Sequence, residues 1–345
     1  MSPVPEVPAP EVPAPEIPAP EAPEVSVIAP HLNQPGLLRA LLASLFAQDF
    51  DMGRAEVIVV DNGSRVPPHD VVADFPGVRL VEERTPGPGP ARNRGVALSA
   101  APILAFTDSD CQVDRHWLPT ILGHFAADPG LDILGGDMRL ILADPARPTP
   151  VEAYECVYAF PQALYIHSKG YSVTANMAVR RAVLDAVGPF AGIGVSEDRD
   201  WGQRARARGH VTRWKPDVIV LHPARRTMDE LRDKCDRNVS LDFSTEATGL
   251  AGRAKWTAKA LAMAVSPLAE IPRILATDRV SGWRDRRLAF QGLAGFRLYR
   301  SGRMLRALVS QEVRTASTRW NRDDRGMAGR DGGGPVAPGD GISTD

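Results

Sequence analysis

Two acidic residues, Asp108 and Asp110, have the types and spacing to do chemistry. They directly follow an apolar run, 103–106, that has the length of a buried strand. In open α/β sheets ligands collect at the carboxyl ends of the strands, so this position predicts a site. Two carboxylates one residue apart repel each other, and a hard divalent cation, Mn²⁺ or Mg²⁺, relieves that repulsion while substrate phosphates complete its shell. The alternative is an acidic turn that caps a helix predicted near Trp117.

A serine followed by two acidic residues, Ser196, Glu197 and Asp198, opens a predicted helix that ends at Gly209. As a pattern alone, it is typical of a helix N-cap followed by favourable acids in the first turn. Further on, His222 ends another apolar run. A histidine at a strand end is either a metal ligand or a structural residue, and the sequence leaves both interpretations open.

Strands and helices alternate in the part of the chain that must position these residues. The first strand is followed by a helix with apolar residues at helical spacing between Leu37 and Phe46. Continuous apolar strands joined by helices indicate a parallel sheet buried on both faces, and therefore an α/β fold. The predicted strands of this sheet are 25–30, 56–60, 78–82 and 103–106.

A glycine-rich segment, 86–95, lies between the third and fourth strands. It does not match a dinucleotide-binding fingerprint, because Arg92 stands where the third glycine would be and prolines remove several backbone donors. Two arginines and an asparagine at the start of a helix suit an anionic phosphate ligand instead.

Composition narrows the class of protein. Hydrophobic residues make up 43% and charged residues 24% of the 345 residues, as in soluble globular proteins. The formal net charge of -1 argues against nucleic acid as a partner. Three cysteines, an odd number without a CxxC pair, favour a reducing compartment over a disulfide framework. We interpret the chain as a cytosolic protein.

Four motifs then occur in a fixed order. They are VSVIAPHLN at 25–33, VVDNGS at 59–64, ARNRG at 91–95 and FTDSD at 106–110. Together they resemble the family 2 glycosyltransferases, and with later motifs the resemblance covers residues 25–225. It implies a GT-A fold, with a Rossmann-like mixed sheet that binds a nucleotide sugar, to which this chain adds a helical C-terminal extension.

The resemblance implies roles for residues around the donor. Asp61 is expected to read the nucleotide base, Arg92 to lie in the donor site, and Pro30 and Asn33 to line it. Where the family commonly carries an aromatic residue before the Asn, this chain has Leu32, so stacking on the base is lost. Uridine is the expected base.

The same resemblance assigns the metal and the base. Asp108 and Asp110 form the metal motif, with Asp110 the firmer ligand, and His222 is a candidate third ligand. Asp198 is placed as the catalytic base, with Glu197 as the alternate. This assignment agrees with the chemistry, because an acceptor hydroxyl that attacks a sugar carbon needs a positioned carboxylate to take its proton.

Asn176 lies in a stretch, 170–179, that is predicted to be a strand with a polar interruption. The resemblance places this residue near the donor sugar and Asp108 in the donor site as well. An amide whose hydrogen bonds are all satisfied within the core is the alternative for Asn176, and the sequence does not decide between the two.

The C-terminal region differs in character from the rest of the chain. Between 253 and 325 there are 16 Lys or Arg against 6 Asp or Glu, and three of the six tryptophans. Basic residues with leucine and tryptophan indicate helices that lie in an anionic membrane interface, so peripheral membrane contact is predicted through 253–310. The alternative is a helical extension packed on the catalytic domain. Its apolar stretches are too interrupted to span a membrane.

These interpretations divide the chain into four parts. A Val-Pro-Ala-Pro-Glu repeat makes 1–24 an extended proline-rich arm without the features of a secretory signal. Residues 25–250 form the GT-A domain, 251–325 the basic amphipathic helical extension, and 326–345 a glycine-rich disordered tail.

The expected function is that of a metal-dependent, inverting glycosyltransferase of the hexosyltransferase type. It would move a sugar from a nucleotide-diphosphate donor to an acceptor hydroxyl on a glycan or a lipid-linked glycan. A sugar nucleotidyltransferase is one alternative, although 31–36 lacks the basic, glycine-rich loop that a triphosphate requires. The other alternative is a non-catalytic, membrane-associated protein that binds nucleotide sugars.

Overall fold

One mixed sheet of eight strands organises the computed structural model, which describes residues 22–314. The predicted tail, Trp320 and most of the predicted arm lie outside the described residues. The strand order is β3-β2-β1-β4-β7-β6-β8-β5. The strands are β1 Val25–His31, β2 Ala55–Asp61, β3 Val78–Glu82, β4 Ile103–Phe106, β5 Gln112–Val113, β6 Ile133–Ile141, β7 Met177–Arg180 and β8 Thr212–Pro223.

Helices cover both faces of the sheet and form a separate group after β8. They are α1 Pro35–Phe46, α2 His69–Ala73, α3 Pro88–Leu98, α4 Trp117–Ala127, α5 Pro150–Tyr158, α6 Gln162–Leu164, α7 Arg181–Val187, α8 Glu197–Ala207, α9 Met228–Glu246, α10 Gly249–Val265, α11 Ile271–Ala276, α12 Gly282–Ala307 and α13 Gln311–Arg314.

The four predicted strands form the parallel part of the sheet, which confirms the α/β fold. β1 pairs in parallel with β2 and with β4, and β2 pairs in parallel with β3. On one face α1 and α4 bury leucines and aromatic residues against β1 and β2, and on the other α7 and α8 pack on β4. Because these strands are parallel, the polar residues that follow them meet at one edge of the sheet.

The sheet changes direction beyond β4, and here the sequence predicted less. β7 runs antiparallel to β4 and to β6, whereas β6 and β8 are parallel. The predicted strand 170–179 is shorter than expected, because a 3₁₀ turn, Thr174–Asn176, precedes β7. β8 is longer than the apolar run, 218–221, that precedes His222 in the sequence.

The helices after β8 pack together around a core of their own. The indole of Trp256 is buried and donates to the backbone oxygen of Met304 at 2.8 Å. In α12, the side chains of Arg297, Arg300 and Arg303 are mostly buried. They pair with acids of this helical group, namely Glu270, Asp242 and Asp236.

These three arginines of α12 therefore bind acids of the protein, as the packing alternative expects, and peripheral membrane contact through 253–310 stays a prediction. Among residues 22–314, no helix combines the length and the apolar character needed to cross a bilayer. The division of the chain at residue 250 stays a prediction.

Candidate active site

The ends of β1 and β2 form the first wall of the site. His31 and Asp61 are paired across the two strands, and the chain turns immediately after each of them. Asn33 has a left-handed backbone, φ 54°, a conformation that asparagine tolerates better than most residues. Its side-chain oxygen accepts from the backbone N–H of Arg65 at 2.8 Å, and its own N–H donates to Ser64 Oγ at 2.8 Å.

Asp61 is buried beneath this turn, and the N–H and the hydroxyl of Ser64 both donate to its carboxylate. The turn that follows β1 is thus held to the turn that follows β2. Pro30 lies one residue before the end of β1, opposite Val60. Pro30, Asn33 and Asp61, predicted to line the donor, are brought together by this pairing.

A buried arginine connects the segment after β4 to the start of α8. Arg92, on α3, is 2% exposed. One guanidinium nitrogen donates to Asp108 Oδ1 at 2.6 Å, and another donates to Glu197 Oε1 at 2.9 Å. Asp108 follows β4 and Glu197 opens α8, so one cation joins the two acidic motifs that the sequence singled out.

Burial and pairing oppose each other in this cluster. Loss of solvent raises the pKa of Asp108, the charge of Arg92 lowers it, and the neighbouring Asp110 raises it again. Burial likewise raises the pKa of Glu197, with Arg92 opposing and Asp198 adding to the rise. The guanidinium keeps its proton, because both carboxylates raise the pKa of Arg92.

Asp198 lies one residue into α8, and its carboxylate is fixed through one oxygen. Oδ1 accepts from the hydroxyl of Ser196 at 2.7 Å and from the N–H of Arg199 at 2.6 Å. Two tyrosines, Tyr165 and Tyr171, stack with their ring centroids 5.2 Å apart. Burial first, and then the charge of Asp198, raises the pKa of both phenols.

Asp110 lies after the end of β4, and His222 is the second-last residue of β8. The two side chains approach each other. His222 Nε2 is 3.5 Å from Asp110 Oδ2. The other ring nitrogen, Nδ1, is 2.7 Å from the backbone oxygen of Pro223, to which it would donate as N–H. Around metal-bound histidines, a carbonyl commonly accepts from one ring nitrogen while the other nitrogen binds the metal, and this placement of Nδ1 matches that arrangement.

These residues fit a divalent cation whose shell the substrate completes. Within the described part of the chain, no three His, Cys, Asp or Glu side chains converge to hold a metal by themselves. Mg²⁺ commonly takes only one or two protein carboxylates plus substrate phosphates, and Mn²⁺ accepts both imidazole and carboxylate ligands. Asp110 and His222 match that set, whereas Asp108 is engaged by Arg92.

Two side chains that the sequence did not single out complete this end of the site. Phe160 has a positive φ of 46°, rare for an aromatic residue, and its ring centroid is 4.9 Å from that of His222. The amine of Lys234, on α9, lies 5.1 Å from the centroid of the Phe160 ring. Burial, with a contribution from Arg225, lowers the pKa of Lys234 to about 7. No local pattern marks either residue, because both depend on contacts between distant segments.

Asn176 makes its hydrogen bonds in the core of the sheet. It is fully buried, and its amide nitrogen donates to the backbone oxygens of Asp137 and Val218 at 2.7 and 2.9 Å. Its oxygen accepts from the indole of Trp117 at 2.9 Å. All three hydrogen bonds lie within the core, as in one of the two roles that the sequence left open, and contact with the donor sugar stays a prediction.

Comparison with known proteins identifies the family. Residues 26–194 match the model of the family described as glycosyl transferase family 2. The chain is 32% identical over 207 residues to glycosyltransferase AglE of Haloferax volcanii, covering 58% of this chain and 67% of that protein. It is 30% identical over 223 residues to pre-mycofactocin glycosyltransferase of Mycobacterium tuberculosis, covering 61% of this chain but only 44% of that protein.

A solved structure shares the fold at low sequence identity. The mannosyltransferase PcManGT from Pyrobaculum calidifontis, in complex with GDP-Man and Mn²⁺, has a TM-score of 0.55 and 18% identity. The match covers 87% of this chain and 92% of that one. The GT-A fold expected from the motifs is confirmed. With its strand order, its joined acidic motifs and these relatives, the chain belongs to glycosyltransferase family 2.

Proposed function

We propose that the chain is a metal-dependent, inverting glycosyltransferase that uses a nucleotide-diphosphate sugar. The observation that carries the proposal is the contact of Arg92 with both Asp108 and Glu197. It brings the end of β4, where the donor's diphosphate is expected, next to the start of α8, where the expected base Asp198 lies. A donor and an acceptor bound between them would meet.

In this proposal each residue acts through a stated atom. Asp198 Oδ2 takes the proton of the acceptor hydroxyl while Oδ1 stays fixed by its two donors. The hydroxyl oxygen bonds to the anomeric carbon as the bond to the diphosphate oxygen breaks, which inverts the configuration. Asp110 and His222 would hold Mn²⁺ or Mg²⁺, and a bound cation supplies neutralisation of the departing diphosphate.

The donor is proposed to carry uridine, with Asp61, Pro30 and Asn33 around the base. Leu32 is 8% exposed and offers an apolar side chain, not an aromatic ring, to that region. Guanosine is the second nucleoside to test, because the neighbour of similar fold was solved with GDP-Man.

The acceptor is proposed to be a cell-envelope or lipid-linked glycan, reached at the cytosolic face of the cell membrane by peripheral contact within 253–310. Support comes from the exposed Trp283 and from the basic residues around it. The three cysteines are free, which agrees with a reducing compartment. Nucleic acid is not a proposed partner.

Transfer assays with matched variants test the proposal. The unfolding temperature of the purified chain is first measured with Mn²⁺ and each of a set of UDP- and GDP-sugars. A ligand that binds the native state raises this temperature. Transfer to glycan acceptors is then measured for Asp198→Asn and Asp110→Ala, each expected to lose activity by about 10²-fold or more. Asp200→Asn is the control, because Asp200 pairs with Arg204 on the same helix.

Retention of full transfer by Asp198→Asn or by Asp110→Ala would contradict the role assigned to that residue. A chain that is stabilised by a donor but transfers to no acceptor would favour the non-catalytic alternative. Pyrophosphate release from a nucleoside triphosphate and a sugar phosphate would favour the nucleotidyltransferase.

A further inference from the structure

A continuous stretch of the helical group exposes apolar side chains to solvent. It runs from the last turns of α10 through α11, residues 261–276, and we call it the apolar ridge. Its large exposed side chains are Leu261 at 58%, Val265 at 68%, Leu268 at 67%, Ile271 at 40% and Leu275 at 42%. Single exposed leucines are ordinary on a protein surface, but a contiguous group of them marks an interaction site.

The ridge is held in place by the residues between the exposed ones. Pro267 and Ile274 are buried on its inner side. Glu270, its only acidic residue, turns inward, where it accepts from Arg297 at 2.6 Å and from the hydroxyl of Tyr158 at 3.1 Å. The outward face of the ridge is therefore mainly apolar, and Arg273, whose side chain is 50% exposed, is its charged residue.

A basic and aromatic rim borders the ridge. The start of α12 carries Trp283, which is 76% exposed, and the side chains of Arg284, Arg286 and Arg287. These four residues line one groove together with Ile271 and Leu275 of the ridge, and with Ile274 and Phe290. Tryptophan at a boundary between apolar and polar surroundings and arginines beside an apolar face are the features of a surface that enters the interface of a membrane.

We propose that the apolar ridge and this rim dock on the surface of an anionic lipid bilayer. Charge complementarity selects that occupant: from 253 to 287 the chain has eight Lys or Arg and three Asp or Glu, of which Glu270 is paired inside. Anionic headgroups attract such a rim while the ridge enters the headgroup and acyl boundary. This docking surface is one part of the range 253–310 for which the sequence predicted peripheral membrane contact.

The docking surface lies close to the candidate metal ligands. Tyr158, which binds Glu270 of the ridge, ends α5, and Phe160 follows two residues later against His222. His222 is the residue that approaches Asp110. A docked ridge would therefore hold the metal-binding end of the candidate site near the lipid surface. The docking surface names the residues of the peripheral contact proposed above, and presentation of a lipid-linked acceptor also rests on the proposed transfer.

Vesicle binding tests the surface without any transfer reaction. The full chain is sedimented with vesicles of phosphatidylcholine that contain about one third phosphatidylglycerol, and with pure phosphatidylcholine vesicles. Binding is expected with the anionic vesicles, and Leu268→Glu is expected to weaken it by about tenfold or more. Val211→Glu is the matched control, because Val211 is an apolar residue that is 62% exposed. It lies just before the first residue of β8, whereas His222 lies at the other end of that strand.

The rim has a separate readout. Replacing Arg284, Arg286 and Arg287 with Gln is expected to remove the preference for anionic vesicles. Failure of the unaltered chain to bind anionic vesicles would overturn the proposal, as would equal binding by Leu268→Glu and Val211→Glu. A dimer that Leu268→Glu dissociates, without vesicle binding, would assign the ridge to a second copy of this chain instead. None of these outcomes depends on whether sugar is transferred.

Discussion

His31 offers a test of the structure that uses stability alone. Its imidazole is 1% exposed at the end of β1, and neither ring nitrogen has a hydrogen-bond partner among the described residues. Burial lowers the pKa of His31 from its ordinary 6.5 to about 4, and the nearby charge of Asp61 only partly offsets this. The imidazole is therefore neutral in the folded protein at pH values where the unfolded chain protonates it.

The sign and size of the effect follow from proton linkage. Because the folded pKa lies below the unfolded one, the unfolded state binds the extra proton, and stability falls as the pH drops from about 6.5 towards about 4. At about pH 5 protonation of the unfolded chain is worth about 2 kcal/mol, and the full shift corresponds to about 3 kcal/mol. Above about pH 7 the contribution disappears.

Urea unfolding of matched variants measures this difference. His31→Leu removes the titrating group and keeps an apolar side chain of similar size at the buried position. Between about pH 7.5 and about pH 5, the unaltered protein should lose about 2 kcal/mol more unfolding free energy than His31→Leu. His69→Leu is the control, because His69 is exposed at the start of α2. If His31→Leu keeps the pH dependence of the unaltered protein, the imidazole is not held neutral and this reasoning is refuted.

Three further substitutions test the site and its supports. Arg92→Met leaves the two acids that it bridges without their cation, and because those acids are partly solvated, the loss of unfolding free energy by urea titration should be about 2 kcal/mol. Gly136→Ala places a Cβ 2.3 Å from the backbone oxygen of Val218 and should cost about 1–3 kcal/mol, whereas Gly123→Ala, with open space around it on α4, should be neutral or stabilising in the same assay. Asn176→Ala should lower the free energy of unfolding by about 2 kcal/mol, because it leaves the groups that bind Asn176 unpaired. The folded fraction should keep its affinity for the donor. A selective loss of donor affinity would support the donor-contact interpretation.

The parallel half of the fold could be predicted because its signals are local. Each of β1 to β4 is a short apolar run bounded by polar or turn residues, and the helix between β1 and β2 repeats its leucines at helical spacing. The position of Asp108 after β4 follows from the same pattern. Such signals need only a few neighbouring residues to be read.

The contacts that assemble the site could not be predicted in this way. Arg92 and Glu197 are 105 positions apart, and nothing near either residue indicates the other. The approach of His222 to Asp110 requires β8 to lie beside the short strand β5, a pairing with only two residues on each strand. The backbone of Phe160 is set by packing against His222 and Lys234, not by local preference.

The leucines and arginines of α12 left two interpretations open for a related reason. The pattern is the same whether arginines face lipid headgroups or acids of a neighbouring helix. Only the packing of α9 against α12 brings Asp236 and Asp242 to Arg303 and Arg300. The exposed face appears instead on α10 and α11, where the sequence showed interrupted apolar segments.

The choice between Asp198 and Glu197 as the proposed base turns on what each carboxylate already binds. A proton placed on Glu197 would neutralise an acid that is 2.9 Å from a buried guanidinium, and so would leave Arg92 with less compensating charge. Asp198 carries no such cost, because its two hydrogen bonds come from a hydroxyl and a backbone N–H and both reach Oδ1. Glu197 anchors the start of α8 to the donor side of the site, and that anchor lets its neighbour accept a proton at a fixed position.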